Sequence, residues 1–153
     1  MNFFTYNPLI YSAFMGMLVA QLAKVILILF LERRMAWDRL TETGGMPSSH
    51  SAAVAALSTA CGLVYGVESP YFAIAIVFGS IVIYDATGVR RAAGQHAEIL
   101  NSLIVELSHL FEEGNSPKAL KTLLGHTYPQ VFMGTLLGII VGFFCTGTLS
   151  LKH

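Results

Sequence analysis

The chain has 153 residues, 54% hydrophobic and 12% charged, with nine basic and nine acidic side chains and no net charge. Soluble globular domains carry about 25% charged residues, so this chain lacks the charged shell that keeps a domain in water. Its mean hydropathy of +0.63 excludes a disordered chain, a nucleic-acid binder with a broad basic face and most soluble enzymes. The expectation is one membrane-embedded domain over residues 1–153. Cys61 and Cys145 both lie in apolar segments and suggest neither a disulfide framework nor a metal motif. No basic residue precedes Lys24, so the start does not read as a secretory signal.

Four apolar stretches follow in order, about Pro8–Leu31, Ser49–Tyr65, Pro70–Tyr84 and Pro129–Leu149. A perpendicular span needs about 20 residues, so the middle two are short, and the brief turn between them marks a helical hairpin. The five prolines sit where helices should begin: Pro8 after Asn7, Pro47 before Ser48, Pro70 after Ser69, Pro117 after Ser116 and Pro129 just past Thr127. Proline suits a first helical turn and Asn, Ser or Thr caps it. The expected fold is therefore all-α, a polytopic bundle of about four transmembrane helices.

A cytoplasmic amphipathic connector is expected between the third and fourth spans. From about Ala92 to Phe111, Leu100, Leu103, Ile104, Leu107, Leu110 and Phe111 recur at helical spacing. The polar side carries Glu98, Asn101, Glu106 and His109, whereas a lipid-surface helix prefers Lys and Arg there, so packing on the bundle is expected. A shorter helix is expected over about Pro117–Leu124. Arg33, Arg34, Arg39, Arg90, Arg91, Lys118 and Lys121 all fall in loops that four spans place on one side. The positive-inside bias makes that side cytoplasmic, with both termini outside.

The polar residues gather at the same boundary. Lys24 lies near the inner end of the first span, Gly44-Gly45-Met46-Pro47-Ser48-Ser49-His50 opens the second, Asp85, Arg90 and Arg91 close the third, and Lys121 and Gly125-His126 precede the fourth. Cations beside a helix start suit a phosphate, because free N–H groups and positive side chains both favour its oxygens. His50 suits an acid that protonates a leaving oxygen, and His126 a nucleophile toward phosphorus. The plainer alternative for each is a capped helix start. Thr127 and Gln130 form a capping box by themselves. Lys24 within a span needs a partner or a route to the interface, and Asp85 is a partner for it or for Arg90. Gly134, Gly138 and Gly142 form a close-packing ladder, either within one chain or in a homo-oligomer.

Three blocks, GGMPSSHSA from Gly44, DATGVRR from Asp85 and LLGHT from Leu123, resemble the divergent branch of the type 2 phosphatidic acid phosphatase superfamily. The resemblance covers nearly the whole chain. It implies a lipid phosphate phosphatase with His126 as nucleophile, a phosphohistidine intermediate, and His50 as acid and then base. It further implies Lys24, Ser48, Ser49, Arg90, Arg91 and Lys121 around the phosphoryl group, with no metal and no cofactor. Phosphatidylglycerophosphate or phosphatidate is the substrate that a cytoplasmic site favours.

The chain departs from that family in three places. Leu31 stands at one arginine position, Leu120 at another, and Gln130 replaces the carboxylate that should face His126. An amide accepts a hydrogen bond from imidazole but does not stabilise imidazolium by charge, so weakened or lost activity is expected unless Asp85 or Glu98 supplies the charge. A competing register, Arg90-x5-His96, ranks below His126 because Leu100 stands at its acidic position; it leaves His96 and Glu98 as supporting candidates. Two rivals stand beside this reading. One is a metal-dependent phosphatase built from His50, His96, His126, Asp85 and Glu98. The other is a non-catalytic lipid-binding or assembly protein of the membrane.

Overall fold

The computed structural model describes residues 7–32, 45–107, 119, 120, 122 and 125–150. It is all-helical over these residues, with α1 at Pro8–Glu32, α2 at Ser49–Tyr65, α3 at Pro70–Thr87, α4 at Val89–Glu106 and α5 at Tyr128–Ser150. The helix starts follow the proline and cap signals. Asn7 Oδ1 accepts from the N–H of Leu9 at 3.0 Å, Ser48 caps α2 by accepting from Ser51 N–H, and Ser69 caps α3 by accepting from Phe72 N–H. Each bond satisfies a donor that the first helical turn leaves without a partner. Pro117 lies outside the described residues.

Helix α2 is the centre of the bundle and packs against α1, α3 and α5. Its buried side chains are small: Ser49, Ser51, Ala52, Ala55, Ala56, Ser58, Ala60 and Cys61. Neighbouring backbones therefore come very close. A Cβ at Gly16 of α1 would lie 2.7 Å from the Ala52 carbonyl oxygen. On α5, a Cβ at Gly134 would overlap the Ser48 carbonyl, one at Gly138 the Ala52 carbonyl, and one at Gly142 would meet Ala56 O at 2.9 Å. The register rises in step on both helices, so α2 and α5 run parallel and start at the same end. The glycine ladder is thus an intrachain contact.

Among the described residues, three helical segments are long and apolar enough to cross a membrane by themselves: Pro8–Phe30, Pro70–Glu106 and Tyr128–Gly147. The fourth expected helix, α2, runs the depth of the bundle between them: Lys24, near the end of α1, meets Gly45 just before α2, and α3 returns to that same end, where Ala86 O accepts from His126 N–H. With 17 residues α2 is shorter than a perpendicular span; its alanine and serine face is buried against three neighbours, while Leu63, Val64 and Tyr65 are exposed at its far end. The 37-residue stretch Pro70–Glu106 would run about 55 Å if straight, well beyond the roughly 30 Å hydrocarbon core. It breaks at Gly88, whose N–H donates to Tyr84 O at 2.8 Å and closes α3.

The connector is corrected. It begins at Val89 and ends at Glu106, and among the described residues its only helical neighbour is α3. Leu100, Leu103 and Leu107 are exposed rather than packed on the bundle, because the break at Gly88 directs α4 away from it. Its polar face holds a loop instead. Asn101 donates to Leu120 O at 2.9 Å and accepts from Leu120 N–H at 2.8 Å. The short helix expected over about Pro117–Leu124 is absent at its described positions Ala119, Leu120 and Thr122.

Gly138 tests the α2–α5 contact. Gly138→Ala should destabilise the detergent-solubilised protein by about 1–3 kcal/mol through overpacking. Gly147→Ala, with nothing within 4 Å of the new methyl group, should leave the thermal midpoint nearly unchanged. Equal midpoints for the two variants would contradict the packing.

Candidate active site

Parallel α2 and α5 bring two helix N-termini side by side. The N–H of Ser48 donates to the carbonyl of Gln130 at 3.0 Å, which ties the two starts together. The loop before α5 then crosses to α3 and α4. His126 N–H donates to Ala86 O at 2.9 Å. Gly125 adopts φ +79°, and a Cβ there would come within 2.8 Å of the Arg90 carbonyl carbon. Only glycine lets the backbone lie flat on the first turn of α4 in this conformation.

These contacts enclose a cavity of about 310 Å³ lined by His50, Ile81, Val82, Asp85, Ala86, Arg90, Gly125 and His126. The His50 and His126 rings stand 6.3 Å apart between centroids, tilted by 58°. His126 is buried, at 3% exposure, while His50 is exposed. Arg90 Nε donates to Asp85 Oδ2 at 2.6 Å across the Gly88 break. That pairing holds the guanidinium at the cavity rim.

Gln130 sets the state of His126. Its Oε1 accepts from Thr127 N–H at 3.1 Å, as the third helical residue does in a capping box. Because a backbone N–H only donates, the atom facing it is the amide oxygen. His126 Nδ1 lies 3.2 Å from the same oxygen and must therefore be the protonated ring nitrogen. The lone pair is left on Nε2, which is buried and makes no hydrogen bond among the described residues. Burial pushes the His126 pKa below the ordinary imidazole value. The bond to Gln130 opposes this, and the charges of Lys24, His50 and Arg90 add to the lowering. A neutral ring with its lone pair on Nε2 is a competent nucleophile.

The other predicted residues divide clearly. Lys24 is buried, at 1% exposure, beneath the glycine loop. A Cβ at Gly45 would sit 3.3 Å from its Cδ, and the ammonium acts on His126 through its field rather than from the cavity wall. Ser48 is fully buried as a cap, accepting from Ser51 N–H at 3.3 Å and from Ser51 Oγ at 3.0 Å. Ser49 is buried and Arg91 half-buried; neither lines the cavity. His96 and Glu98 are exposed on α4 and lie outside the cavity. Lys121 lies outside the described residues. Among the described residues no group of three His, Cys, Asp or Glu side chains is gathered as a metal site would need. Sequence reasoning missed the apolar wall of Ile81, Val82 and Ala86, for which no motif exists. It also missed the left-handed turn at Gly125, which the Gly-His pair does hint at.

The sequence profile of the divergent PAP2 family matches residues 5–141. A Bacillus subtilis (strain 168) protein named uncharacterized membrane protein YuiD is 42% identical over 150 residues, covering 92% of this chain and 94% of that protein. No solved structure matches the chain.

The Gln130 bond has a measurable consequence. In protein with isotope-labelled histidine, His126 should carry its proton on Nδ1 and titrate below the ordinary imidazole range. Gln130→Glu should move that titration upward, since a carboxylate stabilises imidazolium. Magnetic resonance of the ring nitrogens reads both; a proton on Nε2, or no upward movement, would contradict the assignment.

Proposed function

Because the chain belongs to the divergent PAP2 family and is an integral membrane protein, we propose that it is a lipid phosphate phosphatase that hydrolyses a phosphomonoester through a histidine nucleophile. Phosphatidylglycerophosphate and phosphatidate are the favoured substrates. The observation that carries this reading is the His126 Nε2 lone pair, oriented by Gln130 and set across the cavity from His50. The two rings stand 6.3 Å apart between centroids and both line the one cavity, so a single phosphoryl group there would face both.

In the first step His126 Nε2 attacks phosphorus and the P–O bond to the lipid breaks. Protonated His50 gives its proton to the departing oxygen, releasing the lipid alcohol and leaving phosphohistidine. Neutral His50 then takes a proton from water. The resulting hydroxide attacks phosphorus, the P–N bond breaks, and inorganic phosphate leaves with both imidazoles restored. Arg90, the field of Lys24 and the two helix N-termini stabilise the phosphoryl oxygens throughout. In the phosphohistidine the ring carries positive charge. Gln130 holds Nδ1–H there but offers no compensating charge.

We place the cavity on the cytoplasmic side, because Arg90 and Arg91 stand at the cavity end of α3 and the sequence puts its other loop cations in the connections to the same side. The Gln130 amide favours a second reading, in which the cavity binds a lipid phosphate without turning it over.

Phosphate release from dispersed phosphatidate and phosphatidylglycerophosphate separates the two. Release should fall to background in His126→Ala. It should rise in Gln130→Glu by on the order of ten- to a hundred-fold, part of the roughly 10⁴ that the opposite acid-to-amide change costs a serine-protease triad. Because His50 must be protonated and His126 neutral, the wild-type rate should pass through a maximum, with its acid limb below the ordinary imidazole range, where the depressed His126 pKa lets the nucleophile protonate. No release from wild type or Gln130→Glu, with lipid phosphate still bound, would establish the non-catalytic reading.

A further inference from the structure

The cavity has one wall that belongs to the lipid side of the molecule. Ile81 lines it and also lines a second, shallow hollow of about 380 Å³ with Ala73, Ile74, Val77 and Phe78. All five side chains are apolar and stand at three- and four-residue steps, so they share one face of α3. Ile74, Val77, Phe78 and Ile81 are 56–66% exposed, and the small Ala73 among them leaves a furrow. Helix α3 ends at the cavity, so the furrow runs away from the cavity down the bundle. Its eight-residue length from Ile81 to Ala73 rises about 12 Å, close to the depth of one leaflet in a hydrocarbon core of about 30 Å. A different apolar hollow of about 380 Å³ lies between α2, α3 and α5, but it shares no lining residue with the cavity.

We propose that a lipid phosphate reaches the cavity sideways from the bilayer, past Ile81, with one hydrocarbon chain lying in the α3 furrow. This rests on the lipid phosphatase reading for the identity of the headgroup. The two ends of the path match an amphiphile. Cationic and imidazole groups line one end, apolar side chains alone line the other, and Ile81 and Val82 stand at the junction. A water-soluble phosphate ester gains nothing from the furrow, so the path selects for substrates with a long chain.

Phosphatidate bearing a diazirine midway along one chain, in phosphatidylcholine vesicles containing the full-length protein, tests this directly. After irradiation, mass spectrometry should find adducts concentrated on Ile74, Val77, Phe78 and Ile81, several-fold above the outward residues Leu18, Leu22 and Ile26 of α1. Diazirine phosphatidylcholine, which lacks the phosphomonoester, should label the two helices evenly. Even labelling by phosphatidate, or adducts confined to Val54 and Ile139 in the inner hollow, would overturn the proposal. Independently, Val77→Trp should raise the ratio of KM for long-chain to short-chain phosphatidate about tenfold, and an unchanged ratio would also overturn it. A chain that releases no phosphate from either lipid refutes the phosphatase reading, and the labelling pattern still decides the path.

Discussion

The structure depends on the close parallel contact of α2 with α5. Parallel neighbouring helices place like dipole ends together, each equivalent to roughly half an elementary charge, in a medium that screens poorly. Two positive ends side by side repel. The contact survives because Gly134, Gly138 and Gly142 let the α5 backbone meet the carbonyls of Ser48, Ala52 and Ala56, where dispersion and weak Cα–H···O contacts accumulate. An anion at that end relieves the repulsion from both helices at once. The packing that forces the helix starts together is thus also what makes their meeting point electrostatically favourable to an anion.

The His126 ring has a defined tautomer, and the chain obtains it from its capping. The start of α5 requires an acceptor for the Thr127 N–H, and Gln130 supplies it. The same oxygen reaches Nδ1 of His126. Helix capping and ring orientation are therefore one hydrogen-bond arrangement, and the helix start stays in place only when the amide faces the ring correctly. A carboxylate at this position would make the same two bonds and add charge. The amide keeps the geometry and omits the charge, so the ring is ordered without a facing anion.

Much of the architecture is legible in the sequence because its signals are local. Asn7-Pro8, Pro47-Ser48, Ser69-Pro70 and Thr127-Tyr128-Pro129 each mark a helix start through a missing donor or a side-chain cap. The motif residues His50, Asp85, Arg90 and His126 do meet at one end of the bundle. The rest depended on tertiary contacts. Nothing local shows that the short, alanine-rich α2 is the central helix, packed against three neighbours. The leucine face of α4 implies a partner, but the break at Gly88 decides where that face points. Ser48 sits in a motif yet serves as a buried cap, and Lys24 contributes a field from behind the Gly45 loop. Ile81 carries no signal at all, because its place beside both cavity and furrow comes from the α3 register.

Hydroxyls in the apolar helices show how the site stands apart from the rest of the bundle. Ser58 donates to Val54 O, Thr59 to Ala55 O, Ser80 to Ile76 O and Thr146 to Gly142 O, each at 2.8 Å. Each is satisfied four residues back within its own helix, as hydrocarbon surroundings demand. These groups are polar in sequence and inert in structure. His126 has no such local outlet for Nε2, because its ring lies before the first turn of α5 and its other nitrogen is already engaged. Polar capacity left over after local satisfaction accumulates where helices begin and end, and the beginnings of α2, α4 and α5 and the end of α3 meet at this cavity. The position of the site thus follows from backbone hydrogen bonding as much as from the chemistry of its side chains.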